Sequence, residues 1–101
     1  MPLYSFGDYT MKQLNEFVES WINQKTGYVI ELWMTENGKP YLISQHIRVF
    51  YQENGRRPKK GYDLHHIDGD KTNNAIENII ELEKSKHRIL HRIKEDGHFY
   101  D

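Results

Sequence analysis

The stretch 61–91, GYDLHHIDGDKTNNAIENIIELEKSKHRILH, decides how this chain folds. "YDLHHI" alternates as a short strand, with Tyr62, Leu64 and His66 on one face and Asp63, His65 and Ile67 on the other. "DGDKTNN" is a turn-forming loop, because Gly69 permits positive φ and Asp and Asn side chains bond local backbone. Asp68 and Asp70 are read as shaping that loop. Asn74 is placed to cap a single turn, "AIEN", ahead of a second short strand, "IIEL". Ser85 or Glu83 opens a final helix that stops near Gly97 and carries an apolar stripe of Ile89, Leu90 and Ile93. His87 and His91 lie four residues apart, so on a helix they share a face and could bind one cation together, a spacing that recurs in helical zinc sites. His65 and His66 cannot both point the same way on a regular strand. One of them can face the helix that carries His87 and His91.

Upstream, Thr10 and Gln13 read as a capping box. Leu14, Phe17, Val18, Trp21 and Ile22 then recur at helical spacing, which predicts a helix from about Thr10 to Gln24 with those side chains in the core. "YVIELWM", residues 28–34, is rich in β-branched and aromatic residues, "ENGK" is a hairpin turn signal, and "PYLIS" is the return strand. Pro40 fits the first strand position, where a missing N–H is tolerated. Ser44 can cap a second helix through about Gln52, with Ile47, Phe50 and Tyr51 on one face and Asn54-Gly55 as its end. His46 on this helix is given no role. The basic run "GRRPKKGY" follows as a loop.

The bounds agree with one small folded unit, residues 1–101: an N-terminal half, 1–60, of helix, hairpin, helix and basic loop, and a C-terminal motif, 61–97. The chain has 101 residues, 37% hydrophobic and 13% aromatic, above a disordered composition. It has no cysteine. Any metal must therefore be held by imidazole, carboxylate or amide groups. A formal charge of -1 excludes a uniformly polycationic coat, but the charge is uneven: Arg56, Arg57, Lys59 and Lys60 form a run with no acid between them. No signal-like leader or membrane-length apolar segment is read, so a soluble cytoplasmic protein without a membrane partner is expected.

The 61–91 stretch resembles the HNH, or ββα-metal, nucleases, over roughly the last 40 residues of the chain. The upstream residues 38–62 are similar to the helix and basic loop that precede the motif in small phage-type and homing-type members. The fold implied is α+β, with the N-terminal helix, hairpin and helix packed on a ββα-metal motif. The family's first histidine falls on His66, its central asparagine on Asn78, and its metal position on the helix falls on His87, with His91 one turn later. Many members place Asp immediately before the first histidine, where this chain has His65. The same His-His pairing, completed by HxxxH on the helix, occurs in bacteriocin-type members.

The resemblance implies a metal-dependent DNA endonuclease of a bacterial or phage-infected cell. His66 would be the general base, since a neutral imidazole can take a proton from water. His65, His87 and His91 would hold one divalent ion, and three imidazoles suit Zn²⁺, Ni²⁺, Co²⁺ or Mn²⁺ better than Mg²⁺. Asn78 would hold loop backbone and orient His66. Arg56, Arg57, Lys59, Lys60, Lys71, Lys86 and Arg88 would contact phosphates of double-stranded DNA. A monomer or weak dimer is expected, a single site nicking one strand. The alternative is a DNA-binding module whose metal site is structural and catalytically silent; an RNA-directed nuclease ranks lower, because no aromatic-basic RNA-reading motif is present.

Overall fold

The computed structural model describes residues 14–96. Strands β1 (Leu14–Ile22), β2 (Val29–Thr35) and β3 (Pro40–Ser44) lead into helix α1 (Gln45–Asn54); strands β4 (Tyr62–His66) and β5 (Ile79–Glu83) and helix α2 (Lys84–Asp96) follow. A 3₁₀ turn, Ile76–Asn78, precedes β5. The α+β class expected from the sequence stands. None of the described helices is long and apolar enough to cross a membrane.

The expected N-terminal helix is overturned. Residues 14–22 are a strand, antiparallel to β2 at the edge of the sheet; the capping box at Thr10 and Gln13 lies outside the described residues. The physical cause is legible in the register. Leu14 and Glu16 oppose the consecutive residues Thr35 and Met34, and Phe17 and Glu19 oppose Trp33 and Leu32, so β1 is bulged twice. Each bulge puts an extra residue on one strand. Two of them convert a period of two into spacings of three and four, which imitate a helix. The apolar residues are also not core: Phe17 and Ile22 are each 48% exposed, and Val18 and Trp21 are exposed beside them. Leu14 alone of the five packs against the buried cluster, while Phe17 stacks edge-on against Trp33 at 5.6 Å between ring centroids.

The β2–β3 hairpin forms as read. Its turn places Gly38 at φ 75°, and the Thr35 carbonyl accepts from the Gly38 N–H at 2.9 Å. Alternation along β3 buries Tyr41 and Ile43 completely. They form one core cluster with Leu14, Trp33, Ile47 and Tyr51; Phe50, Leu64 and Ile79 form a second, against which Ile47 and Val49 pack. Ile47 belongs to both. Helix α1 is therefore the wedge that joins the three-stranded sheet to the β4–β5 hairpin, and burying each such side chain contributes about 1.5–3 kcal/mol. Gly55, at φ 70°, ends the helix with its N–H on the Tyr51 carbonyl. Ser44 has the extended backbone of an N-cap, yet its side chain makes no capping bond.

β4 and β5 pair antiparallel, from Tyr62 opposite Glu83 to His66 opposite Ile79. The basic loop is tied to this hairpin by Glu81. Its carboxylate accepts both Arg56 guanidinium nitrogens, at 3.0 and 2.9 Å, and the Lys59 N–H at 2.7 Å. Those donors, Arg56 first, hold the Glu81 carboxyl down to about 2.

Candidate active site

Strand alternation sends the adjacent histidines to opposite faces of β4. The His65 ring lies against His87 and His91 of α2, at 5.1 and 5.6 Å between centroids, and the His87 and His91 rings are 4.5 Å apart. One ring nitrogen from each of the three lies within 4.8 Å of the others. Imidazole nitrogens bind zinc at about 2.0–2.1 Å, so ligands of one ion sit no more than about 4 Å apart. Small rotations close that gap. The set fits one soft-to-borderline divalent cation: neutral nitrogen donors, two of them one helical turn apart, with His65 buried and His91 exposed.

The arrangement includes a residue that the sequence reading passed over. Asp63 Oδ2 lies 3.3 Å from His87 Nδ1. A carboxylate in that place accepts the Nδ1 proton and leaves the Nε2 lone pair for a ligand, the outer-shell device that fixes metal-binding histidines. His87 Nε2 indeed points into the cluster, 2.8 Å from His91 Nε2. Alternation had already put Asp63 and His65 on the same strand face, so this signal was available.

His66 occupies the other face. It is buried, with Nε2 2.6 Å from Asn74 Oδ1, and its ring lies 5.2 Å from His46 and 6.2 Å from Tyr28. His46 stacks on Tyr28 at 4.9 Å, and its Nδ1 is buried without a partner. Burial, with a smaller push from His66, takes His46 down to about 4. It is thus a neutral packing residue at ordinary pH.

Asn78 secures the loop between the strands. Its Oδ1 accepts from the Asp68 N–H at 3.1 Å, and its Nδ2 donates to Asp68 Oδ1 at 2.9 Å and to the Asn73 carbonyl at 2.8 Å. Asp68 is held down to about 2, chiefly by the Asn73 amide and then by the Asp70 N–H and Asn78; with Asp70 bonded to Thr72, both aspartates shape the loop. The side chain that touches His66 is Asn74 rather than Asn78. Asn74 does not cap the following turn, where Ala75 takes that position with no side-chain cap bond.

The seven basic residues divide. Arg56 is engaged by Glu81 and lies over the Phe50 ring at 5.2 Å. Arg57 donates to the Tyr41 hydroxyl at 2.9 Å, and Lys71 to the Thr26 carbonyl at 2.7 Å while lying over Tyr28. Lys59 sits over the Tyr62 ring, and Lys60, Lys86 and Arg88 are exposed. Of the apolar stripe expected on α2, Leu90 is half-buried and Ile89 is exposed.

No curated protein and no solved structure matches the chain. Residues 45–89 match the HNH endonuclease family. The matched segment runs from the first residue of α1 into α2 and takes in His65, His66, Asn78 and His87, the residues around which the site is built. It is this segment, residues 45–89, that is similar to the HNH endonuclease family.

Proposed function

We propose that the protein is a metal-dependent endonuclease that hydrolyses phosphodiester bonds of double-stranded DNA. The observation that supports this best is the split of two adjacent histidines: His65 joins a three-imidazole cluster, while His66 stands apart from it with its Nε2 held by Asn74. A base that ligated the ion would have no lone pair left for water, so separate jobs need separate faces. A divalent ion at His65, His87 and His91 would supply Lewis-acid stabilisation of the charge that develops on the phosphate and the leaving 3′ oxygen. His66 takes the proton of the attacking water, leaving 5′-phosphate and 3′-hydroxyl ends. Asn78 keeps the loop closed so that His66 holds its place. Exposed Lys60, Lys86 and Arg88 contact phosphates directly; Arg56, Arg57, Lys59 and Lys71 do so by exchanging or sharing their present partners, which makes binding salt-dependent and largely sequence-independent.

Plasmid nicking by wild type and His66→Ala, each titrated with Zn²⁺, Ni²⁺, Mn²⁺ and Mg²⁺, tests the reading. The expected outcome is metal-dependent nicking that His66→Ala lowers by about 10²–10⁴-fold. Undiminished cleavage by the variant overturns the base assignment. DNA binding and metal binding with no cleavage by the wild type identifies the silent DNA-binding module instead. Activity with Mg²⁺ alone, unaffected by His91→Ala, overturns the three-imidazole site.

A further inference from the structure

We propose that Glu31, on β2 and outside the segment that matches the family, is a positioning residue that fixes the tautomer of His66 through two amides. This rests on the reading of His66 as general base. Glu31 is 2% exposed. Burial raises its carboxyl, but donors from Arg48, Trp33 and Gln45, with the Arg48 charge, outweigh that and leave it below its ordinary value. It is therefore a buried carboxylate, and an ionised carboxylate only accepts hydrogen bonds.

That one fact propagates along a chain of contacts. Gln45 lies 3.0 Å from Glu31 Oε2 and so must present its NH₂ there. Its carbonyl oxygen then faces Asn74, which must present its own NH₂, at 2.8 Å. Asn74 is left with its Oδ1 toward His66 Nε2, at 2.6 Å. An oxygen there accepts, so Nε2 carries the proton and Nδ1 keeps the lone pair. The other neutral tautomer would set two lone pairs against each other at 2.6 Å. Amide orientations are ordinarily ambiguous; here the acceptor-only end removes the ambiguity at both links. Arg48, with Nη2 2.9 Å from Glu31 Oε2, and Trp33, with Nε1 2.9 Å from Oε1, hold the carboxylate ionised and in place. The β2–β3 hairpin is by this route part of the catalytic apparatus.

The test compares wild type, Glu31→Gln, and the double variant Glu31→Gln/Gln45→Glu, in which the carboxylate moves one link along and again compels Asn74 to donate. Imidazole ¹⁵N NMR of the metal-free protein, at a pH where His66 is neutral, reads the tautomer without reference to catalysis. Single-turnover cleavage of duplex DNA with saturating Mn²⁺ reads the rate, and thermal unfolding reports whether each variant folds. Wild type is expected to show Nε2 as the protonated nitrogen. Glu31→Gln is expected to give a tautomer mixture and a cleavage rate lowered by about 10-fold to 100-fold, the range of outer-shell changes, with DNA affinity within about twofold. The double variant restores the Nε2-protonated form and most of the rate. A wild-type Nδ1-protonated tautomer overturns the proposal, as does a folded Glu31→Gln with unchanged tautomer, or a double variant as impaired as the single. If Glu31→Gln does not fold, the double variant and Asn74→Asp, an acceptor-only side chain beside His66, are each expected to give the Nε2-protonated form; failure of either overturns it. A wild type that does not cleave at all counts against the nuclease reading, while the NMR comparison still decides the relay.

Discussion

The two faces of β4 are built by opposite means. On one, Asp63 and His65 meet His87 and His91 of α2, so that among the described residues the cluster draws on the chain between 63 and 91, with His91 exposed. On the other, His66 is buried against Tyr28 and His46 and held by Asn74, itself tied to Gln45 and Glu31, so that residues 28–46 complete it. The difference suits the two tasks proposed for them. A metal face needs converging lone pairs and access for substrate, both of which a helix at the end of a hairpin supplies. A general base needs one tautomer and one orientation, which requires walls from elsewhere in the fold.

The sharpest way to break this comparison is to remove one histidine from each face. His66→Ala is expected to lower cleavage by about 10²–10⁴-fold while metal affinity, read by calorimetry with Zn²⁺, stays as in the wild type. His91→Ala is expected to lose metal affinity, and cleavage with it. Loss of metal affinity in His66→Ala as well would mean that the faces do not work separately.

The next effect belongs to the buried face alone. His46 ionises near 4 in the fold against an ordinary 6.5. The unfolded chain therefore binds the proton first, and stability present above about 6.5 is lost as pH falls towards 4, by up to about 3 kcal/mol. Denaturant unfolding across that interval is expected to show a flatter dependence for His46→Phe, which keeps the stack on Tyr28. An unchanged slope would refute the burial effect.

On the metal face, Asp63→Asn is expected to weaken Zn²⁺ binding by about 10-fold to 100-fold, the range of outer-shell changes, with little effect on stability. No change in affinity would reduce the 3.3 Å contact to coincidence. The smallest effect separates exposed from engaged cations. Lys60→Ala is expected to lower the salt slope of DNA binding by about one. Arg56→Ala is expected instead to cost mainly stability, and only slightly because the pair is exposed, measured by unfolding.

The failure at β1 shows where sequence reading reaches its limit. Doublets such as Phe17-Val18 and Trp21-Ile22 recur every four residues, which local pattern alone assigns to a helix. Two bulges against β2 produce the same spacing in a strand, and a bulge is defined by the partner strand, which a local window does not contain. The β2–β3 hairpin, α1, the β4–β5 hairpin and α2 were legible because each rests on a turn residue or a period contained within its own span. That His65 and His66 face opposite ways, and that His65 meets His87 and His91, was legible for the same reason: alternation of two along β4 and a spacing of four along α2 are local geometry, whereas Asn78 was singled out only by the family resemblance.

What the sequence by itself determined is thus the convergence of His65, His87 and His91, because they lie within one supersecondary unit whose loop and periods dictate which side chains meet. Only the tertiary structure decided the surroundings of His66. Glu31, Gln45 and Asn74 are separated along the chain by 14 and 29 residues, and their hydrogen bonds exist only because α1 is wedged between the two sheets. Nothing in the spacing of a glutamate, a glutamine and an asparagine marks them as partners; burial together, with a carboxylate that can only accept, does.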